Sequence, residues 1–269
     1  MDFRITPKKN SALWITILGI ITAFATAAII TVLLIPFFGI DTSKWIALII
    51  GESMIILPAI LFVRAREYDF HKSFRLSKPP EGTIILVILI GFSLQPLMYE
   101  LDTLFSRILP FPPFLKEYLD KAIESLRVDT VGSFLLLTLG AVIIAGISEE
   151  ILFRGFLQKS FENSVSKIRA VMLSSLVFSF VHFSPQLLQI FMLGVLLGYI
   201  ALRTDSLYPS IVLHMINNAI AISAINWDIT VSFYYSENHL SPLIIVPALI
   251  IFGVALRMFH TKTASGAID

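Results

Sequence analysis

Apolar runs of membrane-crossing length recur along the chain, separated by short polar connections. A helix needs about 20 apolar residues to cross a hydrocarbon core about 30 Å thick. Segments that meet or approach this criterion lie at about 11–36, 45–63, 83–98, 131–157, 170–184, 186–202, 207–225 and 240–257, which predicts about eight transmembrane helices. The fifth and sixth meet at His182-Phe183-Ser184-Pro185 with almost no polar loop, so a tight turn inside the protein is expected there. The first follows Arg4, Lys8 and Lys9 as a signal peptide would, but its apolar run is too long for one. It reads as an uncleaved span. The long connection 99–130 carries a helical pattern of its own. Phe114, Leu115, Tyr118, Leu119, Ala122, Ile123 and Leu126 recur at three- and four-residue steps, opposite Lys116, Glu117, Asp120, Lys121, Glu124 and Arg127. This predicts an amphipathic helix over 114–127 lying in the membrane interface.

Composition sharpens the class. The 269 residues are 56% hydrophobic and 14% charged, with mean hydropathy +0.84, whereas a soluble domain carries roughly 25% charged residues. Such a chain has too little polar surface for a water-soluble enzyme. A net charge of +1 excludes a strongly basic nucleic-acid binder, and the absence of cysteine excludes thiolate chemistry, disulfides and prenylation of this chain itself. The reading is an all-α integral membrane protein, one multi-pass domain over 1–269 whose lasting partner is the lipid bilayer. Lysine and arginine set its orientation. Fifteen fall on one side of the expected spans and five on the other, and none lies in the external loop around 226–239. Eight spans in the cell membrane with both termini cytoplasmic satisfy that bias.

Charges inside the spans are few, and they point to chemistry. They are Glu52, Glu149, Glu150 and Arg154, with His182 and His214 as titratable additions. An intramembrane charge costs about 2.5–3.5 kcal/mol on insertion scales and faces the bundle interior. Glu150 and Arg154 are four apart, on one helix face and in the favourable order for an ion pair. Glu149 is rotated about 100° from Glu150, so it is less readily neutralised and suits a general base. Counted from Lys159, Arg169 and Arg203, the residues Glu149, His182 and His214 lie about 15, 20 and 16 Å deep at 1.5 Å per residue. They can therefore meet near the bilayer midplane. Asn218 is one turn beyond His214 on the same face. A helix-packing salt bridge is the competing reading of the charged cluster.

Glu149-Glu150-x-x-x-Arg154, Phe178-x-x-x-His182 and His214-x-x-x-Asn218 resemble the three successive motifs of the CAAX-processing and bacteriocin-processing intramembrane glutamic endopeptidases, notably the type II CAAX prenyl endopeptidases. The resemblance covers about 131–225, the motif-bearing core. It implies that Glu149 activates a water also held by His182, that Glu150 and Arg154 support it, and that His214 and Asn218 stabilise the oxyanion. Phe178 is then a motif position that packs. A peptide or prenylated-protein substrate and no cofactor are implied. The chemistry is coherent, because a neutral His214 and the Asn218 amide can donate while Glu149 shuttles the proton. A zinc site of two histidines and Glu149 is the alternative, but the His-Glu-x-x-His signature is absent.

Other features read as structural. Glu52 is expected to be a packing or cavity residue. Gly194-x-x-x-Gly198 is expected to be a packing motif. Trp14, Trp45, Trp227 and Tyr208 are expected to be interfacial anchors, and Thr261–Asp269 a disordered tail. Two functions of other classes remain open: a non-enzymatic bacteriocin self-immunity or scaffold protein, and a proton-coupled transporter.

Overall fold

A computed structural model describes residues 6–108, 110–227, 235–236 and 239–264. Arg4, most of the external loop around 226–239 and tail residues 265–269 lie outside the described residues. The helices are α1 (Lys9–Met54), α2 (Leu57–Ala65), α3 (Phe70–Ser73), α4 (Thr83–Ile108) and α5 (Pro113–Ser125). Then come α6 (Val131–Glu162), α7 (Lys167–Val181), α8 (Leu187–Thr204), α9 (Tyr208–Asn226) and α10 (Pro242–Lys262). A two-residue hairpin, β1 (Tyr235–Ser236) with β2 (His239–Leu240), precedes α10.

Six helical stretches among the described residues are long and apolar enough to cross a membrane, against the eight segments expected. Two local causes account for the difference. The first two expected spans form one helical stretch, Lys9–Ala65, broken at Gly39, whose φ of 71° suits a residue without a Cβ. The break reverses the chain. A Cβ on Gly19 would lie 2.3 Å from the Ile55 carbonyl oxygen, and one on Gly51 would lie 3.0 Å from the Ala23 carbonyl oxygen. Partners that close on each other toward Gly39 mark an antiparallel helical hairpin. The other cause is α7, whose 15 residues fall short of a full span. It ends at Val181, and the chain turns through Phe183 at φ 45° before α8 begins.

The close approach at Gly19 makes a testable point. Gly19→Ala would press a methyl group against main chain that cannot rotate away, so it is expected to destabilise the protein by about 1–3 kcal/mol. A lowered Tm in detergent would confirm this, and an unchanged one would contradict the tight hairpin.

Packing is inside-out relative to a soluble protein. Trp14, Val32, Phe37, Ile85, Phe92 and Leu243 are all exposed on outer faces, as apolar surface meant for lipid must be. Inside, one cluster joins the α1–α2 hairpin to α6 and α7 through Ala23, Ile55, Phe153, Phe156 and Phe178. Another joins α4, α8, α9 and α10 through Val87, Ile90, Leu197, Leu213 and Phe259. A third gathers Trp45, Leu137, Val142 and Ile222. Trp45, only 4% exposed, is therefore a core residue and not the interfacial anchor expected, whereas Trp14, Trp227 and Tyr208 are exposed. The amphipathic pattern expected over 114–127 is helical to Ser125 as α5, which buries none of its residues, carries a Lys121–Glu117 ion pair on its polar side and pairs Glu124 with Arg127 just beyond its end.

Candidate active site

Helix α6 is not regular. Thr138–Ile144 and Ile151–Gln158 are π-helical, with one α-helical stretch, Ala145–Glu150, between them. Wider π-turns recur at functional sites because they re-aim side chains out of the ordinary register. Both glutamates sit at the end of the intervening α-helical stretch. Their partners from other elements are His214 on α9 and His182 at the C-terminal end of α7.

Glu150 is fully buried, accepts a hydrogen bond from His214 and forms an ion pair with Arg154. Its Oε1 lies 2.8 Å from Arg154 Nη1 and 3.0 Å from His214 Nδ1. Arg154, also fully buried, donates through Nη2 to the Gly194 carbonyl at 3.3 Å and stacks 4.0 Å from the Phe178 ring centre. One turn along α6, Gln158 Nε2 donates to the Gly198 carbonyl at 3.0 Å. The Gly194-x-x-x-Gly198 pair is thus more than a packing motif, since its two carbonyls receive polar side chains from α6. Phe178 packs as expected, edge-on to Phe153, His182 and His214 at 5.2, 4.6 and 5.9 Å between ring centres.

Glu149 points elsewhere. Its Oε2 is 3.9 Å from His182 Nε2 and 3.9 Å from His214 Nε2, and it is buried with no hydrogen-bond partner. The ring orientations follow from the partners of the other nitrogens. His182 Nδ1 is 2.7 Å from the Phe178 carbonyl oxygen, which only accepts, so Nδ1 carries the hydrogen. His214 Nδ1 likewise donates to the Arg154-paired Glu150. Both imidazoles therefore turn Nε2 toward Glu149. A neutral His214 has its one N–H on Glu150, so it has none left for an oxyanion; only the doubly protonated ring donates from Nε2.

Asn218 has its polar atoms engaged elsewhere. Its amide nitrogen donates to the Ala141 carbonyl at 2.8 Å, inside the first π-helical stretch, and its Oδ1 accepts from Asn217 at 3.2 Å. Spacing on a regular helix put it beside His214, but the carbonyl it reaches belongs to another helix.

A cavity of about 220 Å³ lies against Glu149 and His182, walled by Ile20, Phe24, Phe153 and Val181 and by Glu52 from the α1 hairpin. Beside it runs an apolar groove of about 1000 Å³ between α1, α5 and α7, which shares Ile20 and Val181 with the cavity. Among the described residues no group of three or more His, Cys, Asp or Glu side chains is arranged to hold a metal ion. One contributor escaped the sequence reading. Arg75, in the polar connection before α4, is fully buried, pairs with Glu162 and with Asp205 (3.2 Å), and donates to the Arg154 carbonyl at 3.4 Å. A buried arginine in a hydrophilic loop carries no periodic signal.

Comparison with known proteins agrees with the motifs. The family model described as type II CAAX prenyl endopeptidase Rce1-like matches residues 131–220. The UPF0177 protein YajF of Lactococcus lactis subsp. lactis (strain IL1403) is 32% identical over 148 residues, 54% of this chain and 66% of that protein's length. No solved structure matches the chain.

Proposed function

We propose, from the premise that residues 131–220 are an Rce1-like, type II CAAX prenyl endopeptidase-like segment of a multi-pass membrane protein, that the chain hydrolyses peptide bonds at the membrane with a glutamate-activated water. One observation carries the reading: Glu149, His182 and His214 come from α6, α7 and α9 and converge at 3.9 Å. That separation is too long for direct hydrogen bonds and suits one bridging water. The water gives one hydrogen to His182 Nε2 and loses the other to Glu149 as its oxygen attacks the scissile carbonyl. Doubly protonated His214, steadied by Glu150, donates from Nε2 to the developing oxyanion. Asn218 joins only after its amide leaves Ala141. No side-chain nucleophile is required.

The apolar groove beside the cavity supports a lipid-modified substrate, a prenylated C-terminal tail whose chain lies between α1, α5 and α7 while the peptide reaches Glu149. The lysine and arginine bias supports both termini in the cytoplasm, where such tails are made.

The test is incubation of the purified protein in lipid with a farnesylated CAAX peptide, before and after exhaustive chelation. Release of the peptide that follows the prenylated cysteine, undiminished by chelation, is the expected result. Loss of activity restored only by zinc would overturn the metal-free reading, and absence of any cleavage would overturn the function.

A further inference from the structure

In the proposed reaction Glu149 gains a proton during the attack, and the cavity beside it offers a second carboxyl to protonate the leaving amine. His182 has its Nδ1 hydrogen on the Phe178 carbonyl, the Nε2 hydrogen of the doubly protonated His214 is taken by the oxyanion, and the Asn218 amide is held by Ala141. Glu149 has a proton only after it has taken one from water. The cavity holds another candidate. Glu52, Glu149 and His182 are its titratable lining residues among those described, and Glu52 comes from the α1 hairpin, outside the residues matched by the family model. Like Glu149, Glu52 has a buried Oε2 without any hydrogen-bond partner.

We propose that Glu52 is the general acid of this site, the carboxyl that protonates the departing amine nitrogen. The proposal rests on the endopeptidase reading above. Its electrostatic logic is simple. Two carboxylates facing one small, apolar-walled cavity repel strongly when both are charged, and the arrangement of lower energy keeps one proton between them. The buried Arg154 lies closest to Glu150, at 2.8 Å, and donates to the Gly194 carbonyl. Among the described residues that line the cavity, Glu52 and Glu149 are the two carboxyls.

The step balances with water as the only co-reactant. In the attack, a water O–H bond breaks, its proton goes to Glu149, and the oxygen bonds to the scissile carbon. The carbonyl π pair moves to the oxyanion. In the collapse, that pair restores C=O, the C–N bond breaks with its electrons on nitrogen, and nitrogen takes the proton from Glu52. Proton transfer from Glu149 to Glu52 across the cavity resets the pair.

The experiment compares leaving groups in the full-length protein. Wild type, Glu52→Gln and Glu149→Gln are given a farnesylated CAAX peptide and its analogue with a thioester at the scissile bond. A thiolate leaves without being protonated, whereas an amine does not. Glu52→Gln is expected to lower kcat for the amide by at least about 100-fold with KM little changed, while the thioester rate falls by less than about tenfold. Glu149→Gln is expected to lose both, because both need an activated water. The amide-to-thioester ratio is read within one sample, so a partly unfolded Glu52→Gln preparation does not alter it. Equal losses on both substrates would show that Glu52 only shapes the cavity, and no loss on either would show a bystander. Both outcomes overturn the proposal while the endopeptidase reading stands. A wild-type protein that cleaves neither substrate would overturn that reading, and this proposal with it.

Discussion

Glu149→Gln is expected to lower peptide cleavage by about 10²–10⁴-fold, the usual contribution of a positioned general base, while leaving the protein folded. The substitution keeps the shape of the side chain and removes its capacity to accept a proton. Glu149 makes no hydrogen bond through Oε2 that the fold depends on, and the His182 and His214 imidazoles stand off from it at 3.9 Å. Thermal unfolding in detergent should therefore give a Tm close to that of wild type. Rate and Tm falling together would assign Glu149 to the scaffold, and retained cleavage would remove it from the mechanism.

Glu150→Ala is expected to do the opposite to stability. Removing this carboxylate leaves Arg154 fully buried and charged without its 2.8 Å partner. Breaking one side of a buried pair costs about 3–5 kcal/mol, whereas replacing both partners with apolar residues of similar size is often neutral. Glu150→Leu combined with Arg154→Met should thus recover most of the stability that Glu150→Ala loses. It should not recover activity. His214 Nδ1, 3.0 Å from Glu150 in the native protein, has no acceptor in the double variant, so the ring loses the contact that directs Nε2 toward Glu149. A double variant that regained both stability and cleavage would show that Glu150 serves packing alone.

The two glutamates illustrate what the sequence discloses. Four-residue spacing announced the Glu150–Arg154 pair, because i,i+4 neighbours meet on any helix. The scarcity of charge in the spans singles out Glu149, His182 and His214. What stayed hidden depends on contacts between helices or on departures from regular helix. The His214–Glu150 bond joins residues 64 positions apart, and it fixes which imidazole nitrogen faces Glu149. Two π-helical stretches re-aim α6, and a carbonyl of the first one takes the Asn218 amide that regular spacing directed at the site. Trp45 shows the same limit. Its position near a segment end suggests an anchor, but packing against Leu137, Val142 and Ile222 decides its place. Gly39 carried its signal in the open, yet whether a glycine after a proline kinks one long helix or reverses it depends on what the two arms bury.

In the proposed reaction water, and no side chain, attacks the peptide bond. Mass spectrometry of the products formed in H₂¹⁸O with hydroxylamine present tests it most directly. Direct attack by the Glu149-activated water predicts one ¹⁸O atom in each newly formed carboxylate and no hydroxamate. A hydroxamate product would reveal an acyl-enzyme intercepted before water arrived, and would contradict the account.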